Sequence, residues 1–112
     1  MIPTGVQVFV AVEPIDMRYS FDRLAGVAKE QVGYDARGGA LFVFYGRRRD
    51  ALKVLFFDGT GMCIFYKRLD RGTFKLPERL DVKARHVEID DRALDALLDG
   101  IDVEEPKKRS VH

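Results

Sequence analysis

Between Leu41 and Phe74 the chain reads LFVFY-GRRRD-ALKVLFF-DGTG-MCIFYKRL-DRGTF, three apolar runs separated by short polar turns. The Asp58-Gly59 pair is a strong hairpin signal, because its residues tolerate the left-handed backbone that a tight turn between twisted strands requires. This pattern predicts a three-stranded antiparallel meander. Leu41 to Tyr45 is apolar at every position, as in a central strand covered on both faces. In the second strand Leu52, Val54 and Phe56 share one face, while Lys53, Leu55 and Phe57 share the other. The third strand runs from Met62 to Leu69. A loop limited to Gly59, Thr60 and Gly61 would set Lys53 directly opposite Lys67, an unfavourable pairing unless an anion joins the two.

Elements before and after the meander complete the fold. Gly5 to Val12 alternates with apolar residues on both faces, a strand that Pro14 stops. Asp16 or Ser20 then caps a helix, and Phe21, Leu24, Ala25, Ala28 and Val32 fall at helical spacing before a terminating Gly33. Its Phe21/Leu24/Ala28 stripe is expected to lie on the sheet. Phe74 to Leu76 reads as a short edge strand ending at Pro77, and His86 to Ile89 as a last strand. Asp90 or Asp91 caps a second helix with Ala93, Leu94, Leu97 and Leu98 on its apolar stripe and Gly100 at its end. The expected fold is α+β: one domain over residues 1–103, mainly an antiparallel meander of about five strands, with one helix after the first strand and one near the C-terminus. Residues 104–112 have no apolar content to dock them and are expected to form a disordered tail.

At 112 residues, such a chain buries roughly two thirds of the surface that its unfolded form exposes. A hydrophobic share of 46% beside 33% charged residues excludes the compositional class of disordered chains. No apolar run approaches the ~20 residues of a membrane helix, and no signal-type N-terminus is evident, so a cytoplasmic protein is expected. The single cysteine, Cys63, reads as a small core residue.

The net charge of +1 conceals an asymmetry: residues 46–86 carry +6, against −1 before them and −4 after them. One electropositive face is therefore expected. Its centre is the turn with Arg47, Arg48 and Arg49, whose guanidinium groups suit bidentate contact with phosphate, and Lys53, Lys67, Arg68 and Arg71 extend it. The competing reading is a solvated turn whose charges keep sheet edges from aggregating.

Chemistry of other kinds finds less support. Asp16, Asp22, Asp50, Asp58 and Asp70 would be candidates for a metal-dependent nuclease, yet each stands where a cap or turn favours aspartate. His86, His112 and Cys63 lack zinc spacing. Gly59-Thr60-Gly61 lies between strands rather than at a helix start, so it is no phosphate loop. Neither a cofactor nor an enzymatic activity is expected. The phenylalanines are mostly core, and an exposed subset beside the cations would offer stacking surfaces for single-stranded bases.

Asp16-Met17-Arg18, Phe21-Asp22, Leu24, Gly39, Leu41-Phe42-Val43-Phe44, Arg47-Arg48, Lys53, Leu55, Asp58-Gly59-Thr60-Gly61, Lys67-Arg68-Leu69, Gly72 and Phe74 together resemble the small TnpB accessory protein of the insertion-sequence-66 family of bacterial mobile elements. The likeness runs in register over about half the chain. Phe57 and Leu76 stand where that family often has tryptophan, and the C-terminal third is similar mainly in its helix and in Gly100-Ile101-Asp102. The resemblance implies a role in transposition beside a separate, larger transposase that carries the catalytic acidic triad. The expected function is a non-enzymatic accessory protein that binds element DNA through the basic hairpin face. The alternative is an interaction module whose cations dock on the transposase or another accessory chain. A homo-oligomer built on an unpaired edge is compatible with both.

Overall fold

The computed structural model describes residues 5–79 and 81–100. Five strands form one sheet: β1 (Val8–Ala11), β2 (Leu41–Tyr45), β3 (Ala51–Phe57), β4 (Met62–Arg68) and β5 (His86–Ile89), in the spatial order β4-β3-β2-β1-β5. Two helices complete it, α1 (Phe21–Val27) and α2 (Asp91–Leu98). The α+β class and the antiparallel meander β2-β3-β4 agree with the sequence. One pair departs from antiparallel geometry: β1 and β2 run parallel, Val8 beside Leu41. The helical crossover between them returns the chain to the end from which it started, which parallel pairing requires. β5 then pairs antiparallel with the free side of β1, Val10 beside Val87.

Both faces of the sheet are covered. On one, Phe9, Phe42, Phe44 and Leu55 pack against Leu24, Ala28 and Val32; on the other, Val8, Val10, Val43, Leu52 and Val54 pack against Leu94, Leu97 and Leu98. This double cover explains why β2 is apolar and buried at every position.

Local chemistry sets the helix ends. The Asp90 carboxylate accepts from the Ala93 N–H at 2.7 Å and caps α2. Ser20 occupies the cap position of α1 through its backbone alone, its carbonyl accepting from the Leu24 N–H at 2.9 Å. After Val27 the helix widens to a π-helical turn over Ala28–Val32, closed by a Gly33 N–H bond to the Ala28 carbonyl and by the left-handed φ of 85° at Gly33.

Three expectations are corrected. Phe21 is 45% exposed; Ile15 and Tyr19, in the segment entering α1, pack against that core in its stead. Phe74–Leu76 is not a strand: Phe74 is buried beneath the α2 face, and its N–H donates to the Arg49 carbonyl at 2.7 Å. The β3–β4 loop has four residues, Asp58 to Gly61, so Lys53 lies opposite Tyr66, and Lys67 opposite Leu52. The two lysines therefore point to opposite faces of the sheet. The expected tail at 104–112 lies outside the described residues.

Candidate nucleic-acid interface

The β2–β3 turn is held from three sides. Within it, the Gly46 carbonyl accepts from the Arg49 N–H at 2.9 Å, and Arg49 takes a left-handed φ of 63°. From one side comes the segment before α1: the Ile15 N–H donates to the Tyr45 carbonyl at 2.9 Å, and the Tyr45 hydroxyl donates to the Val12 carbonyl. Burial raises the pKa of that hydroxyl above the usual phenol value, keeping it a donor. From the other side the chain leaving β4 folds over the turn, with Leu69 N–H on the Asp50 carbonyl at 2.8 Å and Phe74 on Arg49. Arg68 pairs with Ala51 at the last rung of the ladder, and Arg71 lies in the segment fastened at Leu69 and Phe74.

Arg47, Arg48, Arg49, Arg68 and Arg71 are thus brought to one end of the sheet, all of them exposed. Among the described residues none of the five forms an ion pair. The Arg49 guanidinium lies 5.7 Å from the centre of the Tyr45 ring, a cation–π distance.

The two lysines are placed differently. Lys53 is 8% exposed, and its Nζ donates to the Tyr19 carbonyl at 2.7 Å while lying 5.0 Å from the centre of the Tyr66 ring. Lys67 Nζ donates to the Leu98 carbonyl at 2.6 Å, a cation at the C-terminal end of α2 where the helix dipole favours one. Both ammonium groups hold backbone: Lys53 the segment entering α1, Lys67 the end of α2.

Beside the arginines is an open cleft of about 400 Å³ between Pro14–Met17 and the turn, reaching Arg47, Arg48 and Asp50. Gly46 has no room for a side chain, since a Cβ there would meet Met17 Cγ at 2.7 Å. Asp16, on the cleft wall, forms a forked pair with Arg18, with Oδ2 accepting from Nη2 at 2.7 Å and Oδ1 from Nε at 3.0 Å. That hydrogen bonding with Arg18 holds the Asp16 carboxyl at about 2. Sequence spacing missed this pair because Asp16 read equally well as a helix cap.

Asp58 likewise serves its own turn. Its Oδ1 accepts from the Thr60 and Gly61 N–H groups, each at 2.9 Å, and these bonds lower its pKa to about 2. Among the described residues no three His, Cys, Asp or Glu side chains converge as a metal-binding group. Cys63 is half-buried, and burial raises its thiol pKa, favouring the protonated form.

The model of the IS66 Orf2-like proteins matches residues 6–108. The chain belongs to that family. Two relatives come from Sinorhizobium fredii. The uncharacterized protein y4hO is 40% identical over 110 residues, covering 96% of this chain and 93% of its own. The uncharacterized protein y4jC is 31% identical over 107 residues, covering 96% and 89%. No solved structure matches. Family membership makes this a transposition-associated accessory protein, in agreement with the resemblance carried by its turn and cation pattern. None of its described helices is long and apolar enough to cross a membrane.

Proposed function

We propose that this accessory protein assists DNA transposition without catalysing it, by gripping the phosphates of element DNA with the arginine end of the sheet. The observation that carries the reading is the convergence of Arg47, Arg48, Arg49, Arg68 and Arg71 on a turn held by backbone bonds from both sides. Guanidinium groups on a fixed frame, with no ion-pair partner among the described residues, bind phosphate at little ordering cost beyond their own side chains. Lys53 and Lys67, which the same face would include by charge, hold the backbone carbonyls of Tyr19 and Leu98. In this reading the protein acts on DNA in the cytoplasm, and the separate transposase supplies the strand chemistry.

Fluorescence anisotropy of a labelled duplex carrying the element's terminal repeat, titrated at two salt concentrations beside a scrambled duplex, tests the proposal. A backbone-gripping face is expected to bind both duplexes with Kd of ~10⁻⁴ to 10⁻⁶ M near physiological salt, and tighter binding to the repeat would add base reading. Replacing Arg47 and Arg48 together by alanine is expected to reduce the slope of log K against log salt by about two, one for each phosphate that the protein no longer neutralises. An unchanged slope refutes the role of that pair. Absence of binding at low salt refutes the DNA reading and leaves docking on an acidic transposase surface, read by a pull-down that survives nuclease treatment.

A further inference from the structure

β4 lies at one edge of the sheet. β5 closes the other edge with four residues, whereas β4 runs for seven. The bonding parity of β4 follows from the hydrogen bonds at the two ends of its own ladder: Asp58 N–H to Gly61 carbonyl and Leu69 N–H to Asp50 carbonyl. In an antiparallel ladder such pairs recur at every second residue, so Cys63, Phe65 and Lys67 bond to β3. Met62, Ile64, Tyr66 and Arg68 therefore turn their N–H and carbonyl groups outward, and no described residue takes them. The side chains of β4 are also unusual for an edge. Met62, Cys63, Ile64 and Phe65 are only half-buried and Tyr66 is 54% exposed. Proteins usually guard long apolar edges with short strands, prolines or bulges. β4 has charges only at its end, in Lys67 and Arg68.

We propose that β4 pairs antiparallel with β4 of a second copy of this chain, about a twofold axis at Phe65, joining two five-stranded sheets into one. Parity and charge permit this register, and with its axis at the middle residue of Met62–Arg68 it overlaps all seven residues of the strand. It sets Ile64 against Tyr66 and Met62 against Arg68 of the second copy, so all the outward groups meet outward groups. Phe65 then faces its own counterpart, and Lys67 faces Cys63, so no cation opposes a cation. The Arg68 end of each strand also comes beside the Asp58 turn of the other copy, and the carboxylate of that turn, held at about 2, is ionised. A register shifted by two residues toward Arg68 on each strand would instead set Lys67 against its own counterpart.

Sedimentation velocity of the full chain from about 1 to about 200 μM tests the pairing, a range covering the affinities of ordinary reversible dimers. A concentration-dependent dimer is expected; a monomer throughout overturns the proposal. Tyr66→Pro removes an outward N–H and leaves the intrachain ladder its donors, so it is expected to shift the dimerisation Kd at least tenfold. A dimer indifferent to it assigns the pairing to another surface and overturns the proposal. Should Tyr66→Pro fail to fold, the register is read by cross-linking Cys63→Ser/Phe65→Cys. Facing non-hydrogen-bonded residues in an antiparallel pair have Cα atoms ~4.5 Å apart, within disulfide range. Mild oxidation is expected to give a covalent dimer of this variant, and a product that stays monomeric overturns the register.

Discussion

Lys53 offers the sharpest separation between a lysine that holds the fold and one that touches DNA. Lys53→Met keeps the stem but removes the ammonium that meets the Tyr19 carbonyl at 2.7 Å and faces the Tyr66 ring. A hydrogen bond involving a charged group contributes about 1.5–3 kcal/mol, and relief of the lysine's own desolvation offsets part of its removal. The lower end, about 1.5 kcal/mol, is the expected cost, and for a domain of this size it lowers Tm by about 6–12 °C. Thermal unfolding followed by circular dichroism measures this, and the anisotropy titration with duplex DNA is run on the same sample. DNA affinity well below Tm is expected to stay within about twofold of the parent, since the buried ammonium adds no phosphate neutralisation to the salt slope. A variant as stable as the parent that binds DNA more weakly, with a flatter slope, would refute the structural role assigned to Lys53. The Arg47/Arg48 double variant should show the opposite: surface changes of this kind leave stability within about 0.5 kcal/mol while affinity falls.

Further predictions concern the frame around the arginines. Gly46→Ala places a Cβ 2.7 Å from Met17 Cγ, and overpacking of this sort costs about 1–3 kcal/mol. Met17→Ala in the same chain should recover part of that cost in a double-mutant denaturation cycle. Asp58 titrates at about 2 in the folded chain against an ordinary 3.8, so its ionised form stabilises the turn above about pH 4 and this contribution disappears as pH falls through about 2. Asp58→Asn should therefore flatten the acid limb of a stability-versus-pH curve over that interval, and an unchanged limb would contradict the assignment. Asp90→Ala removes the cap of α2 and should cost about 1 kcal/mol in urea unfolding with no change in m-value.

The meander, the turn at Asp58 and a cap at Asp90 or Asp91 were legible in the sequence because each is specified locally, by runs of apolar residues or by a side chain two or three positions from its partner. The β3–β4 register was less so. It depends on whether Asp58 belongs to the strand or to the loop, and three bonds to Thr60 and Gly61 settle it in favour of the loop. A difference of one residue there sends Lys53 and Lys67 to opposite faces. Neither lysine could be assigned from spacing, since a long aliphatic stem allows the ammonium to reach either water or a buried carbonyl. The parallel pairing of β1 with β2, the exposure of Phe21 and the anchoring of Phe74 beneath α2 all depend on where distant segments return, which periodicity does not encode. At the candidate interface, the arginine triplet stood out by charge density alone, whereas the approach of Arg68 and Arg71 required the fold-back of residues 69–74.

The position of β1 between β2 and β5 bears on the order in which the chain can fold. β2, β3 and β4 are joined by short loops, so their pairing closes little chain and can proceed as soon as residue 68 is available. β1, although synthesised first, acquires its second neighbour only when His86–Ile89 appears, almost eighty residues later. During synthesis one flank of β1 thus stays open until the last quarter of the chain leaves the ribosome, and completion of the sheet is a late, non-local event of the kind that slows folding.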